Sequence, residues 1–356
     1  MLKDNARSRR ASSAASQAAS LEQLGGNVSN SPLSVQRIGF VGLGHMGTAM
    51  AANVAAAGAR VIAYVRRPDQ MEKLEGLGIK PTTDITNLFD CEVVISMLPD
   101  DAAVRDVVFG RQDLGLDGLA MGMPPGAIHL SMSTISTATA SQLASEHARR
   151  GQGYVAAPVF GNPDAAKARQ LFIVAAGVAA DVERCRVLLD AFGQQTFVVG
   201  ADPANANLIK LAGNALTAAT LEMLGEVIAL IRKRGLDPKP FLDILTNTMF
   251  GARVHRIYGD KIVAQRYAPG FAMPLALKDV RLVLAEAESA AVPMPSVSVV
   301  RDRLITGIAR GYADLDWSAL GLVAADETGL TPGYDEHRAG NCKDTVSIDP
   351  AQRKTT

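Results

Sequence analysis

The chain changes character at Gly200. Before it, short apolar runs alternate with helical stretches; after it, only helical signals remain. In the first part Arg37–Val41, Val61–Val65, Val93–Met97, Ala127–Leu130, Tyr154–Ala157 and Leu171–Ala175 read as buried strands, and Thr196–Val199 closes the series. Helical stretches such as Thr48–Ala57 and Thr137–Arg149 separate most of them, which predicts a parallel sheet covered on both faces. Asp202-Pro203 then opens a helix, because Asp caps free amides and Pro fits the first helical position. No breaker beyond isolated glycines follows until Gly235-Leu236-Asp237-Pro238, giving a helix of roughly thirty residues, about 45 Å long. Between Leu211 and Ile231 its only charged residues are Glu222 and Glu226, so it is expected to be buried on most sides, at a bundle centre or a subunit interface. Further helices are expected at about 239–247, 275–291 and 295–310.

This pattern predicts an α/β Rossmann domain followed by an all-α C-terminal domain, with a long interdomain helix. The expected boundaries are a disordered leader (1–34), a dinucleotide-binding domain (35–200), a helical substrate and dimerisation domain (201–325) and a flexible tail (326–356). The leader is rich in Ser and Ala, with Arg7, Arg9 and Arg10 but no contiguous apolar stretch of a secretory signal. Lys+Arg and Asp+Glu both number 36, so nothing in the net charge attracts nucleic acid or an anionic membrane. The cysteines are Cys91, Cys185 and Cys342, odd in number and far apart, and the five histidines lack ligand spacing. Neither a disulfide framework nor a metal site is expected, and a reducing, cytoplasmic setting fits. No uninterrupted apolar run approaches the ~18–20 residues of a membrane span, so none is expected.

The strongest motif is a strand running through Gly42-Leu43-Gly44-His45-Met46-Gly47 into a helix. Gly42 permits the tight turn, Gly44 lets a pyrophosphate approach the backbone, and Gly47 lets the helix pack on the sheet. Strand, loop, helix and second strand follow at the right lengths for a dinucleotide site. After the second strand stands Arg66-Arg67-Pro68, with no acid to bind a ribose 2′-hydroxyl. Two arginines suit a 2′-phosphate, so NADP(H) is the expected cofactor.

Six ordered segments then resemble the β-hydroxyacid dehydrogenase family, over about residues 36–325. They are the Gly42–Gly47 loop with Asn53, Met97-Leu98-Pro99-Asp100, Met132-Ser133-Thr134-Ile135-Ser136, Ala157-Pro158-Val159-Phe160-Gly161, Lys210-Leu211-Ala212-Gly213-Asn214, and Lys278-Asp279. The resemblance implies a proton-donating role for Lys210, with Asn214 holding substrate or Lys210. It implies substrate contact for Ser133, and cofactor contact for Met97, Leu98, Pro99, Thr134 and Lys278. The residues agree: Lys210 and Asn214 lie four apart and share a helix face, and apolar neighbours should lower the lysine's pKa.

One position departs from the resemblance. Phe160 stands where acid-reducing members carry a serine, followed by Gly161 and Asn162, all three expected at the substrate. A phenyl ring cannot hydrogen-bond a carboxylate, which favours a larger, less polar carbonyl or imine. The expected activity is NADPH-dependent interconversion of a β-hydroxyacid with its semialdehyde or keto acid. The other readings are an imine reductase and a non-catalytic NADP-binding protein. The expected partners are a small carbonyl or hydroxyacid substrate and further copies of the chain, as a homodimer or homotetramer.

Overall fold

The computed structural model describes residues 36–111 and 116–330. The expected leader, and the expected tail beyond Leu330, lie outside the described residues. The sheet contains β1 (Arg37–Val41), β2 (Arg60–Tyr64), β3 (Lys80–Thr82), β4 (Val93–Ser96), β5 (Ile128–Ser131), β6 (Gly153–Ala156), β7 (Val159–Phe160), β8 (Leu171–Gly177) and β9 (Gly193–Val198). Its order is β9-β8-β6-β5-β4-β1-β2-β3, with β7 on β8. The six strands from β3 to β6 are all parallel, in the 3-2-1-4-5-6 arrangement of a Rossmann sheet. The order reverses between β1 and β4, where the carboxyl ends open a crevice.

The expectation of a wholly parallel sheet is corrected at β8, which runs antiparallel to β6 and β7. The link from β7 to β8 holds only the five-residue helix Pro163–Lys167, enough to turn back but too short for a full crossover. Apolar runs mark strands without marking their direction. The same reading passed over β3, which has three residues, and two helices of the second part.

In the first part α1 (His45–Ala56) and α2 (Thr137–Arg149) pack on the sheet; the second part is helical and opens with α3 (Pro203–Lys233). Then come α4 (Pro238–Asn247), α5 (Arg253–Val263), α6 (Met273–Ser289), α7 (Pro295–Ala309) and α8 (Leu320–Glu327). The Asp202 carboxylate accepts from Ala204 N at 3.0 Å and starts α3; Arg232 and Lys233 occupy its last turn. At Gly225 an added Cβ would stand 2.8 Å from Gly321 Cα, so two glycines let α3 and α8 cross closely. The helix α8 reaches Glu327, two residues into the stretch read as a tail.

Burial of α3 is one-sided. Lys210, Leu211, Asn214, Ala218, Leu221 and Ile228 are buried, but Ile209, Leu216, Met223 and Leu230 stay exposed, Leu216 by 72%. Their spacing of seven residues puts them on one face. In length and hydropathy α3 does reach the range of a membrane span, with half of that window buried inside the protein. Counting only uninterrupted apolar runs missed this, because small and weakly polar residues break the run without lowering its mean.

A buried polar chain crosses the sheet layer. Gln152 Nε2 donates to the carbonyls of Ala120 and Met123, so its Oε1 must accept, from His147 Nδ1 at 2.7 Å. His147 Nε2 then accepts from His129 Nδ1 at 3.0 Å, and His129 Nε2 from Ser96 Oγ at 2.8 Å. Each ring is thereby held as one neutral tautomer. Burial pushes the pKa of both histidines down, His129 furthest. Unfolding exposes rings that take up protons below about pH 6.5, so their contribution is intact above that pH and lost as pH falls beneath it. Urea unfolding at pH 7.5 and 5.5 should therefore differ by about 1.4 kcal/mol for each ring that stays neutral in the fold. Equal stabilities at the two pH values would contradict the assignment.

Candidate active site

The glycine loop fits the crevice by backbone contact. Gly42 has φ 94°, and a Cβ there would lie 2.2 Å from Met97 O. A Cβ on Gly47 would lie 1.9 Å from Gly42 O, whereas Gly44 faces open space. No side chain caps α1, and its first turn holds no acid. Leu43, His45 and Met46 complete the turn, with His45 exposed. Uncapped amides at a helix N-terminus beside an open Gly44 suit a pyrophosphate, so the residues present fit a dinucleotide. Arg66 and Arg67 follow β2 and are exposed; Arg67 Nε lies 3.9 Å from Asp69 Oδ1, a loose pair three-quarters open to solvent.

Across the crevice α3 brings Lys210 and Asn214 to one face. Lys210 is 7% exposed, and its Nζ donates to Asn214 Oδ1 at 2.7 Å. Asn214 Nδ2 donates to Asp279 Oδ2 at 2.6 Å. Asp279, 2% exposed, forms an ion pair with Lys278 Nζ at 2.6 Å. Because a carboxylate only accepts and an ammonium only donates, the Asn214 amide can take one orientation alone. The Lys210 ammonium also stands 4.3 Å from the centre of the Phe160 ring. Burial pushes the Lys210 pKa down to about 8, with Asp279 resisting and Lys278 assisting.

The remaining residues divide between cleft and frame. Lys278 Nζ donates to Thr134 O at 2.6 Å, linking the helical part to the loop after β5. Phe160 lies against Gly213, where a Cβ would stand 2.4 Å from the ring. Gly161, at φ 141°, turns the chain toward Asn162, whose Oδ1 caps the next helix through Ala165 N at 2.9 Å. Asn53 Nδ2 pins that helix through Ala166 O at 2.8 Å. Ser133, expected at the substrate, is fully buried, and its Oγ accepts from Leu98 N at 2.8 Å. Its hydroxyl braces the Met97–Pro99 turn, leaving Ser136 to cap α2 through Thr139 N at 3.0 Å.

Two residues have roles that the sequence alone does not assign. Asp279 is the carboxylate that orients Asn214. Asn207 is fully buried and its Oδ1 accepts from Ile135 N at 3.3 Å, tying the Ser133–Ile135 loop to α3. The spacing of Asn207, Lys210 and Asn214 by three and four residues was the available signal for Asn207.

Residues 37–200 match the NAD-binding domain of 6-phosphogluconate dehydrogenase, and residues 204–323 the NAD-binding region of NADP-dependent 3-hydroxyisobutyrate dehydrogenase. The chain is 39% identical over 287 residues to an uncharacterized oxidoreductase, YfjR, of Bacillus subtilis, covering 80% of this chain and 98% of that one. The chain belongs to the β-hydroxyacid dehydrogenase family. As a member it is an oxidoreductase that works with a nicotinamide cofactor. It is also 28% identical to 2-hydroxy-3-oxopropionate reductase of Escherichia coli, over 80% of this chain and 95% of that one. The fold resembles a Mycobacterium tuberculosis 3-hydroxyisobutyrate dehydrogenase structure with L-serine, at TM-score 0.72 and 24% identity, over 81% and 98% of the two chains.

The Asp279 contact carries a measurable consequence. Asp279→Asn removes the charge that favours the ammonium, so the Lys210 titration followed by NMR of its labelled ε-carbon should move below 8, by about one unit. An unmoved midpoint would show that Asp279 does not act on Lys210.

Proposed function

We propose that the protein is an NADPH-dependent reductase that interconverts a β-hydroxyacid with its semialdehyde or keto acid, with Lys210 as the proton donor. The observation that carries this reading is a buried ammonium held by Asn214 and linked through Asp279 and Lys278 to Thr134, just beyond the carboxyl end of β5. The dinucleotide, when bound, supplies or accepts the hydride. Lys210 stabilises the negative charge that develops on the substrate oxygen and delivers a proton to it. With a pKa near 8 it is mostly protonated at neutral pH and releases its proton at modest cost. Asn214 and Asp279 hold the Nζ in place, and Lys278 sets the loop at Thr134 from across the cleft. A protein that only binds the cofactor has no use for this ammonium.

Lys210→Met keeps the side chain's bulk and removes charge and proton. The kcat for the best carbonyl substrate should fall about 10²–10⁴-fold while NADPH affinity stays within a few-fold. Near wild-type turnover in that variant would refute the proton-donor role.

The preference for NADPH rests on Arg66 and Arg67. Changing both to Ala should weaken NADPH by about 2–4 kcal/mol and leave NADH nearly unchanged. Comparable use of NADH and NADPH by the unaltered enzyme would argue against the assignment.

The exposed stripe of Ile209, Leu216, Met223 and Leu230 supports a second copy of the chain as its cover. Light scattering should give at least a dimer mass, and Leu216→Glu should lower it toward one chain. A monomer at micromolar concentration would rule out that cover.

A further inference from the structure

The wall of the cleft that lacks a hydroxyl carries a cation instead. Phe160 and Phe172 are direct partners in the antiparallel β7/β8 ribbon. Directly opposed side chains project from the same face, with Cβ atoms about 4.5–5.5 Å apart. The two side chains therefore leave the same face of the ribbon, and a cation stands over each ring. Lys210 Nζ lies over Phe160, and Arg253 Cζ lies 5.7 Å from the centre of the Phe172 ring. Arg253 opens α5, so it reaches this surface from the helical part, as Lys210 does from α3.

The use made of the two arginines of α5 differs. Arg256 donates to Thr246 O at 3.1 Å and so fastens the turn before the helix. Arg253 makes no ion pair with a carboxylate among the described residues, and it is exposed. A guanidinium over a ring keeps its in-plane N–H groups free for a planar oxyanion, in the fork geometry that matches a carboxylate.

We propose that Arg253 determines specificity by binding the carboxylate of the substrate. The substrate is then an acid whose reducible carbonyl, at Lys210, is separated from its carboxylate by an apolar spacer lying across Phe160 and Phe172. Phe160 does not abolish acid recognition; it displaces the anion outward, to a cation beyond the second ring. This assignment rests on the reading of Lys210 as the proton donor, and it replaces the β-hydroxyacid of that reading with a hydroxyacid whose reacting carbon lies several carbons from the carboxylate.

The test compares 6-oxohexanoate with hexanal, which has the same chain length and no carboxylate, in NADPH oxidation by the full-length enzyme and its Arg253→Met variant. For the acid, KM should rise about 10–100-fold, the worth of a charge-assisted hydrogen bond, with kcat within a few-fold. Hexanal kinetics should be unchanged, and Arg253→Lys should recover part of the loss. Calorimetric titration with adipate, which cannot be reduced, gives a second readout: binding to the unaltered enzyme and loss in Arg253→Met. Equal effects on acid and aldehyde, or equal adipate binding by both proteins, would overturn the proposal. An unaltered enzyme that reduces neither aldehyde would count against the reading of Lys210, while the adipate titration still decides on Arg253.

Discussion

A lysine ammonium placed almost wholly out of water must be compensated, and the organisation of this cleft follows from that requirement. Lys210 meets it with an amide oxygen, an aromatic face and, one step removed, the Asp279 carboxylate. The three come from α3, β7 and α6, so the compensation exists only when the sheet and the helical part are assembled. Asp279 cannot be buried alone either, and Lys278 joins it. Lys278 in turn closes on Thr134, which returns the network to the sheet. Folding of the helical part and construction of the site are one event on this account.

The loop after β5 shows the same interdependence from the other side. Its backbone is held at Thr134 O by Lys278 and at Ile135 N by Asn207, both from outside the sheet. Ser133, inside, ties it to Leu98. A loop fixed at three consecutive residues loses little further entropy when a ligand arrives, which favours tight, well-oriented binding.

Much of this was legible in the sequence, for physical reasons. Gly42, Gly44 and Gly47 announce their role because backbone collisions under 2.5 Å exclude any side chain at Gly42 and Gly47. Lys210 and Asn214 were readable because four-residue spacing on a helix fixes a shared face. What could not be read depends on pairing across the chain. The direction of β8, the burial of Ser133 and the link from Asn214 to Asp279, sixty-five residues on, leave no local trace. The one-sided exposure of α3 was equally hidden, since composition reports how apolar a helix is and not which face its own chain covers.

The reversal at β8 governs where the chemistry sits along α3. Because β8 begins at the cleft end of the sheet and β9 runs beside it in the same direction, the chain leaves the sheet at Gly200, next to Gly177, on the far side. The helix must then travel back along the sheet, and Lys210 reaches the cleft about two turns after Pro203. The segment from Gly200 to Asp202 thus acts as a phase setter. One residue added or removed there would rotate the helix by about 100° against the sheet and turn the lysine away from the crevice. A connection of three residues is, in this architecture, under as tight a length constraint as the glycine loop itself.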